Sequence, residues 1–343
     1  MDDASRVGEA RRHAAQAVAS LGWSEIDTGR LALVVTELCT NLQRHAKNGR
    51  LLVAVRPGHG GPDTADEVEL ISIDEGPGIP DIALAMRDGH SSGSTPGTGL
   101  GAVRRLANDF DIHSAVPEGT VSVARVRPAP AAAGGSAALA TPGPALQIGA
   151  VCLPAPHETV SGDGWAAAVH GAQAGALATL TVLMADGLGH GPEAAKASQA
   201  ATDAFATAPT DDLGEILQRV HRELKTTRGA AVCALRVDTQ RATISYTGAG
   251  NVMGRVVSGV FDKAIITQPG TAGLQIRKPE TNSLELPPHA VTVIYSDGIE
   301  SRWSQDAIRA LLQKDPTLMA AALLRDHTRH RDDATVVVIR QKE

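Results

Sequence analysis

The apolar positions of the first 126 residues change their period along the chain. Val7, Ala10, Ala14, Ala17, Val18 and Leu21 recur at three- and four-residue spacing, as expected of a helix with one buried face. Ser24 followed by Asp27 reads as a helix start with an acidic third position. Leu31, Val34, Val35, Leu38 and Leu42 then form an apolar stripe that runs to about His45. Two strand-like runs follow, 51–55 and 68–73, split by the turn-rich PGHGGPD. A Gly/Ser/Thr loop at 90–98 precedes a helix starting near Gly99, and strands near 110–113 and 120–126 close the region. This order predicts an α/β sandwich with helices on one face of a mixed sheet.

Beyond residue 145 the pattern becomes richer in strands. Apolar runs at 147–153, 178–185, 230–237, 243–246, 252–257, 291–296 and 335–340 are the candidates. Two helical segments, 192–208 and 213–225, fall together between the second and third of these, and Pro192 suits a first helical turn. Helices grouped in this way predict an α+β sandwich rather than alternating βαβ units. Between the two regions lies RPAPAAAGGSAALATPGPA, uncharged after Arg127 and without large apolar anchors. Such a stretch reads as a linker over 127–145, dividing the chain into domains at 1–126 and 146–343. No internal repeat is visible.

Composition narrows the function classes. Of 343 residues, 43% are hydrophobic and 20% charged, which is a globular balance. Aromatics at 2% argue against recognition by base stacking, and a formal net charge of -6 argues against a general basic footprint for nucleic acid or anionic membrane. Cys39, Cys152 and Cys233 are too scattered for a disulfide framework or a shared metal site, and read as reduced, small hydrophobes. The charged start MDDASRVGEARRH has no secretory core, and no run approaches the ~20 apolar residues of a membrane span. The expectation is a cytoplasmic protein.

Three pieces of candidate chemistry lie in the first domain. Glu37 and Asn41 are four apart and share a helix face. A carboxylate there can act as a base, and an amide oxygen can ligate Mg²⁺ without adding charge. Asp74 ends a strand and is followed by Gly76 and Gly78, which let a flat ligand approach while the carboxylate accepts from an exocyclic amine. Gly97, Gly99, Leu100 and Gly101 lead into a helix, where backbone N–H groups favour phosphate. The lysine of a P-loop is missing there. In this order VVTELCTNLQRHA, DEGPGIPD and GTGLGAVRRL resemble the N box and the two glycine boxes of the GHKL (Bergerat-fold) superfamily, over most of residues 5–126. The resemblance implies Asn41 for Mg²⁺, Glu37 as base, Asp74 for the adenine amine, Gly99 to Gly101 for phosphate, and Thr120 near the adenine. Residues 1–126 offer no dimerisation helix pair with a phospho-accepting histidine ahead of the N box, so a sensor histidine kinase is not the expectation. The wording MRDGHSSGSTPGTGLGAVRRLANDFDIHS is similar to the anti-sigma-factor serine kinases, the stressosome switch kinases of RsbT type above all.

The second domain repeats the construction strand–Asp–Gly at Asp186-Gly187 and Asp297-Gly298, with Asp163 in SGDGW and Asp332-Asp333 before the strand ATVVVIR. Converging carboxylates repel one another unless a cation neutralises them, and hard oxygen ligands suit Mg²⁺ or Mn²⁺. The glycine after each Asp leaves room for a carbonyl or a bound water. His190 reads either as a substrate or water contact or as a structural loop histidine. YTGAGN reads as core and turn. SGDGW, MADGLGHGPEA, RGAAVCALRVD, YTGAGN, YSDGIES and RDDATVVVI together resemble the SpoIIE-type metal-dependent serine/threonine phosphatases, a helix-flanked β-sandwich fold, and most of all the RsbX type. The resemblance implies two metals bridged by Asp186, with Asp163 and the Gly187 carbonyl on one, Asp297 and Asp332 on the other, and Asp333 as a further, less certain ligand. Many relatives carry a second Asp three residues after the first; Ala166 stands there in this chain, which implies weaker affinity for an additional metal.

The two resemblances imply opposite reactions in one chain. One would transfer phosphate from ATP to Ser or Thr of a STAS-domain partner, and the other would remove it. The alternative is an N-terminal binding module for a sigma factor or a downstream phosphatase, with little or no kinase activity, fused to an active phosphatase.

Overall fold

The computed structural model describes residues 4–57, 66–87, 99–129, 146–170 and 179–341. The chain divides into two compact units, Met1–Gly143 and Pro144–Glu343. The whole Gly/Ser/Thr loop at 90–98, Gly97 included, lies outside the described residues.

The first unit runs α1 (Ala4–Ala19), α2 (Glu25–His45), β1 (Arg50–Arg56), β2 (Glu67–Ile73), α3 (Ile82–Ala85), α4 (Gly99–Leu106), β3 (Asp109–Ala115) and β4 (Gly119–Val126). The Ser24 hydroxyl caps α2 by accepting from the Asp27 N–H, as the sequence pattern implies. The sheet order is β1-β2-β4-β3. Every pairing among these strands is antiparallel, so the expected mixed sheet is corrected. The helices need no crossover role, because β3 and β4 form a hairpin and β2 meets β4 side by side. Leu31, Val34, Val35 and Leu38 of α2 bury against Val68, Leu70, Ala124 and Val126 of the sheet.

The second unit runs β5 (Leu146–Leu153), β6 (Asp163–His170), β7 (Thr179–Gly187), α5 (Pro192–Thr207), α6 (Leu213–Glu223), β8 (Ala230–Asp238) and β9 (Thr243–Ala249). It continues through β10 (Met253–Val257), β11 (Asp262–Ile266), β12 (Gly270–Thr271), β13 (Gln275–Ile276), β14 (Asn282–Glu285), β15 (Val291–Tyr295), α7 (Gln305–Arg309), α8 (Pro316–His327) and β16 (Ala334–Gln341). Two five-stranded antiparallel sheets, β11-β10-β15-β16-β5 and β14-β9-β8-β7-β6, form the sandwich. β7 shows the layering. Leu180, Val182 and Met184 join the core between the sheets, while Leu183 and Ala185 face the cluster formed with Ala197, Phe205 and Ile216 of α5 and α6. On the other sheet α8 packs against β5 and β16. Gly149 allows that approach, since a Cβ there would lie 2.1 Å from the Thr317 nitrogen.

Candidate active sites

In the first unit the structure draws the separated motifs to the C-terminal end of α2. The Glu75 N–H donates to the Lys47 carbonyl at 2.9 Å, and a Cβ at Gly76 would stand 2.6 Å from the His45 carbonyl. The 74–78 turn therefore lies against the last turn of the helix that carries Glu37 and Asn41. Both of those side chains are half-buried. The Asn41 side-chain nitrogen is buried without a hydrogen-bond partner, which leaves that amide for a ligand. The Asp74 N–H donates to the Thr120 carbonyl at 2.9 Å, and the Gly76 N–H donates to Asp74 Oδ1 at 2.7 Å. Gly119, at φ +104°, abuts this junction, where a Cβ would come 2.1 Å from the Asp74 carbonyl oxygen. Gly78, at φ +75°, meets the Ala115 carbonyl in the same way, at 2.4 Å.

Ser114 is a site residue that the sequence did not reveal. Its hydroxyl sits 2.8 Å from that of Thr120 and accepts the Ile79 N–H at 2.7 Å, tying β3, β4 and the glycine turn together. The α4 segment that opens with Gly99, Leu100 and Gly101 packs against both α2 and α3. The orphaned Asn41 amide, the Asp74 carboxylate and the glycine turns fit a nucleotide with its Mg²⁺.

In the second unit Asp163 and Asp186 are register partners across β6 and β7. Strand β7 extends through Asp186 and Gly187, rather than ending before them. By strand parity Asp186 falls on the inter-sheet side, with Met184, at the sheet end. Gly187 falls on the helix side, where a Cβ would stand 2.2 Å from the Ala194 carbonyl of α5. Gly298 likewise faces protein backbone, where a Cβ would stand 1.9 Å from the Asp333 carbonyl oxygen. These two glycines thus admit a neighbouring backbone carbonyl, one of the two alternatives the sequence left open.

Asp163 is buried, and burial first, then Asp333 and Asp297, lift its carboxyl to about 7. The hydroxyls of Ser296 and Thr335 restrain that rise, yet Asp163 Oδ2 has no hydrogen-bond partner at normal geometry. Burial, then Asp163, Asp297 and Asp332, lift Asp186 to about 8, against the N–H of Asp297 that bonds to it. Asp297 is also raised by burial and by Asp332, while Arg329, Arg331 and Asn251 oppose the shift. Asp333 differs from Asp332. It is buried, its Oδ1 accepts the Ala155 N–H at 2.8 Å, and its Oδ2 has no hydrogen-bond partner. Asp332 is half-buried and accepts the Asp333 N–H at 3.0 Å. Among the described residues no three His, Cys, Asp or Glu side chains stand close enough together to hold a metal ion on their own. An open set of mutually repelling carboxylates with two orphaned buried oxygens fits a hydrated hard divalent cation, which keeps several waters of its own.

Two further residues enter from segments that the sequence left as turns. Asn251, in YTGAGN, donates to Asp297 Oδ2 at 2.6 Å. Glu158 lies 2.7 Å from Nδ1 of His190, so that histidine is held by a carboxylate although it is exposed. Ala166 packs with the helix-side cluster beside Leu183, not with the acidic groups. Burial pushes Cys39 up to about 11 and Cys233 up to about 12, far from a reactive thiolate.

Residues 2–125 match the histidine kinase-like ATPase domain family, and residues 178–342 match the stage II sporulation protein E (SpoIIE) family. The chain is similar to the serine/threonine-protein kinase RsbT of Bacillus subtilis (strain 168), at 34% identity over 100 residues, which are 29% of this chain and 72% of that protein. The chain belongs to the RsbT family, joined to a SpoIIE phosphatase domain. Among solved structures, a chain from the bacterial stressosome, described as a modular system adapted to control secondary messenger signaling, is 26% identical. It covers 57% of this chain and 99% of that one, with a TM-score of 0.51. RsbX in complex with magnesium is 20% identical over 57% of this chain and 96% of that one, with a TM-score of 0.50, a likeness of fold. The RsbT-related protein therefore pairs an ATPase-like unit with a PP2C-like β-sandwich, and both are related to enzymes of protein phosphorylation. Among the described residues no helix is long and apolar enough to cross a membrane.

Proposed function

We propose that this chain sets the phosphorylation state of a STAS-domain partner from both directions, as a serine/threonine kinase in its first unit and a metal-dependent phosphatase in its second. The observation that carries the reading is the joining of an RsbT-related kinase domain and a SpoIIE domain in one polypeptide. Tethering gives both units a high effective concentration at a shared partner. The domain limits that go with this reading are 1–126 and 146–343, with 127–145 as the tether.

In the kinase unit Glu37 would take the proton of the attacking hydroxyl, and Asn41 would hold Mg²⁺ through its amide oxygen. Asp74 would receive the adenine amine, with Thr120 beside it and Gly76 and Gly78 shaping the turn. Gly97, Gly99, Leu100 and Gly101 would offer N–H groups to the phosphates. In the phosphatase unit Asp163, Asp186, Asp297 and Asp332, with the Gly187 carbonyl, would hold Mn²⁺ or Mg²⁺, and Asp333 would be a further ligand through its orphaned Oδ2. The chemistry such ions supply is an acidified water and charge screening for the phosphoryl group. Asn251 orients Asp297. His190, oriented by Glu158, would hand a proton to the departing serine oxygen.

The test is intact-mass analysis of a STAS protein incubated with ATP and Mg²⁺/Mn²⁺, using wild type and Asp186→Asn in parallel. Phosphate that accumulates with Asp186→Asn and stays scarce with wild type supports the reading. A STAS protein that binds yet gains no phosphate with either form moves the first unit to a binding role.

A further inference from the structure

The established kinships assign nothing to Arg228, although its position is defined by the β7–β8 ladder. Asp186 pairs with Ala231 and Gly187 with Ala230. The pairing continues one step beyond the strands, where the Leu188 N–H donates to the Gly229 carbonyl at 3.0 Å. The next step sets Arg228 opposite Gly189. The side chain follows the backbone, since a Cβ on Gly189 would stand 3.3 Å from an Arg228 terminal nitrogen. Gly189, at φ +89°, leaves that space open. The guanidinium therefore lies over the loop that leaves Asp186 and leads to His190.

Arg228 is exposed, and among the described residues no carboxylate pairs with it. Glu193, in the first turn of α5, feels its charge only as the weakest of several influences, and that carboxylate is bonded to Lys196. The other cations at the acidic site, Arg329 and Arg331, act on Asp297. An uncommitted planar cation with paired donors, opposite the residue that lies three past the central carboxylate, matches the oxygens of a tetrahedral dianion.

We propose that Arg228 binds the phosphoryl group of the phosphatase substrate, contacting its oxygens from the loop side of the acidic site. This rests on the phosphatase reading above. A phosphomonoester brings more negative charge than the ions need for their own ligation, and an arginine fork adds directional bonds where carboxylates can only repel. The acidic groups would then hold the ions, and Arg228 would select the phosphate.

The test uses the full chain with saturating Mn²⁺, p-nitrophenyl phosphate as substrate and inorganic phosphate as competing ligand. Arg228→Ala is expected to raise KM and the inhibition constant of phosphate about tenfold or more, the size of one lost charge-assisted hydrogen bond, with a smaller change in kcat. Arg228→Lys recovers part of the loss, because it keeps the charge without the fork. Mn²⁺ affinity, read by calorimetry without substrate, stays at the wild-type value and also reports intact folding. Arg331→Ala serves as the control for a general change of field, and is expected to leave phosphate inhibition within about twofold, as a screened surface charge should. Unchanged phosphate inhibition in Arg228→Ala, a parallel loss of Mn²⁺ affinity, or an equal effect from Arg331→Ala overturns the assignment. A wild-type chain that binds Mn²⁺ yet hydrolyses neither p-nitrophenyl phosphate nor a phosphoserine peptide overturns the phosphatase reading, and this inference with it.

Discussion

Asp163 and Asp186 stand directly opposite one another in the β6–β7 register, two acids where a sheet normally sets complementary side chains. Their separation in sequence hides this relationship; burial first, and the neighbouring carboxylates after it, push each carboxyl above its ordinary range. Like charges facing across a ladder weaken it by about 0.2–1 kcal/mol. The metal-free fold therefore carries a repulsion that a divalent cation, bound as proposed, would relieve.

Asp186→Asn is expected to raise the melting temperature of the metal-free chain by about 2–4 °C, the shift of roughly 1 kcal/mol in a unit of this size. Excess Mn²⁺ should stabilise wild type and leave the variant nearly unmoved. Thermal denaturation with and without chelator checks both halves, and a variant that still gains the full Mn²⁺ effect removes Asp186 from the ligand set.

The pH dependence follows from the same pair. Both acids are raised from their ordinary value of 3.8, to about 7 and about 8, so the metal-free fold binds protons more tightly than the unfolded chain. Their contribution to stability is complete below the unfolded value and is lost as pH rises through the folded values. Metal must displace those protons. Mn²⁺ affinity should therefore rise between pH 6 and 8, with proton release that calorimetry in buffers of different ionisation enthalpy can count. Affinity that is flat over this range contradicts the assignment.

Gly119→Ala should impair nucleotide binding without touching the nucleotide. The added methyl would meet the Asp74 carbonyl at 2.1 Å, at a φ of +104° that alanine resists. The expected outcome is a loss of more than ~1 kcal/mol in the stability of the first unit, together with weaker ATP binding. Asp74→Ala should lose ATP binding while the unit stays folded. Fluorescent-nucleotide titration alongside circular dichroism separates the two effects.

Glu158→Ala removes the carboxylate that holds His190 at 2.7 Å. Turnover of a phosphoserine peptide should fall about tenfold or more, in line with a general acid that has lost its orientation, while Mn²⁺ affinity is retained. His190→Gln should produce a similar loss, and the double variant should be no worse than the single ones. Additive losses would mean that the two side chains act independently.

Periodicity located the elements whose two faces differ. The stripe Leu31, Val34, Val35, Leu38 and Leu42 and the cap at Ser24 describe α2 as it stands. Helix α8 gave no such signal, because every residue from Pro316 to Arg325 is buried and there is no polar face to set a phase. The strand β6 was hidden by its glycine and alanine run, GWAAAV, which carries little β-forming signal of its own. Charged strand residues were also silent. Glu67 and Glu69 are buried, and only the structure brings Arg56, Arg125 and Arg127 to them.

The sequence by itself determined which chemistry is available. Its acids, amides and glycines lie in short ordered motifs, and such motifs can be read because their spacing fixes a local backbone shape. Only the tertiary structure decided which of these residues meet. Register across β6, β7 and β8 put Asp163 beside Asp186 and carried Arg228 over Gly189, while the junction of β2 with β4 set Gly119 and Thr120 against Asp74. The physical reason is that a local period reports which face of an element is buried. The pairing of two distant elements is fixed by packing and hydrogen-bond registers summed over the whole sheet.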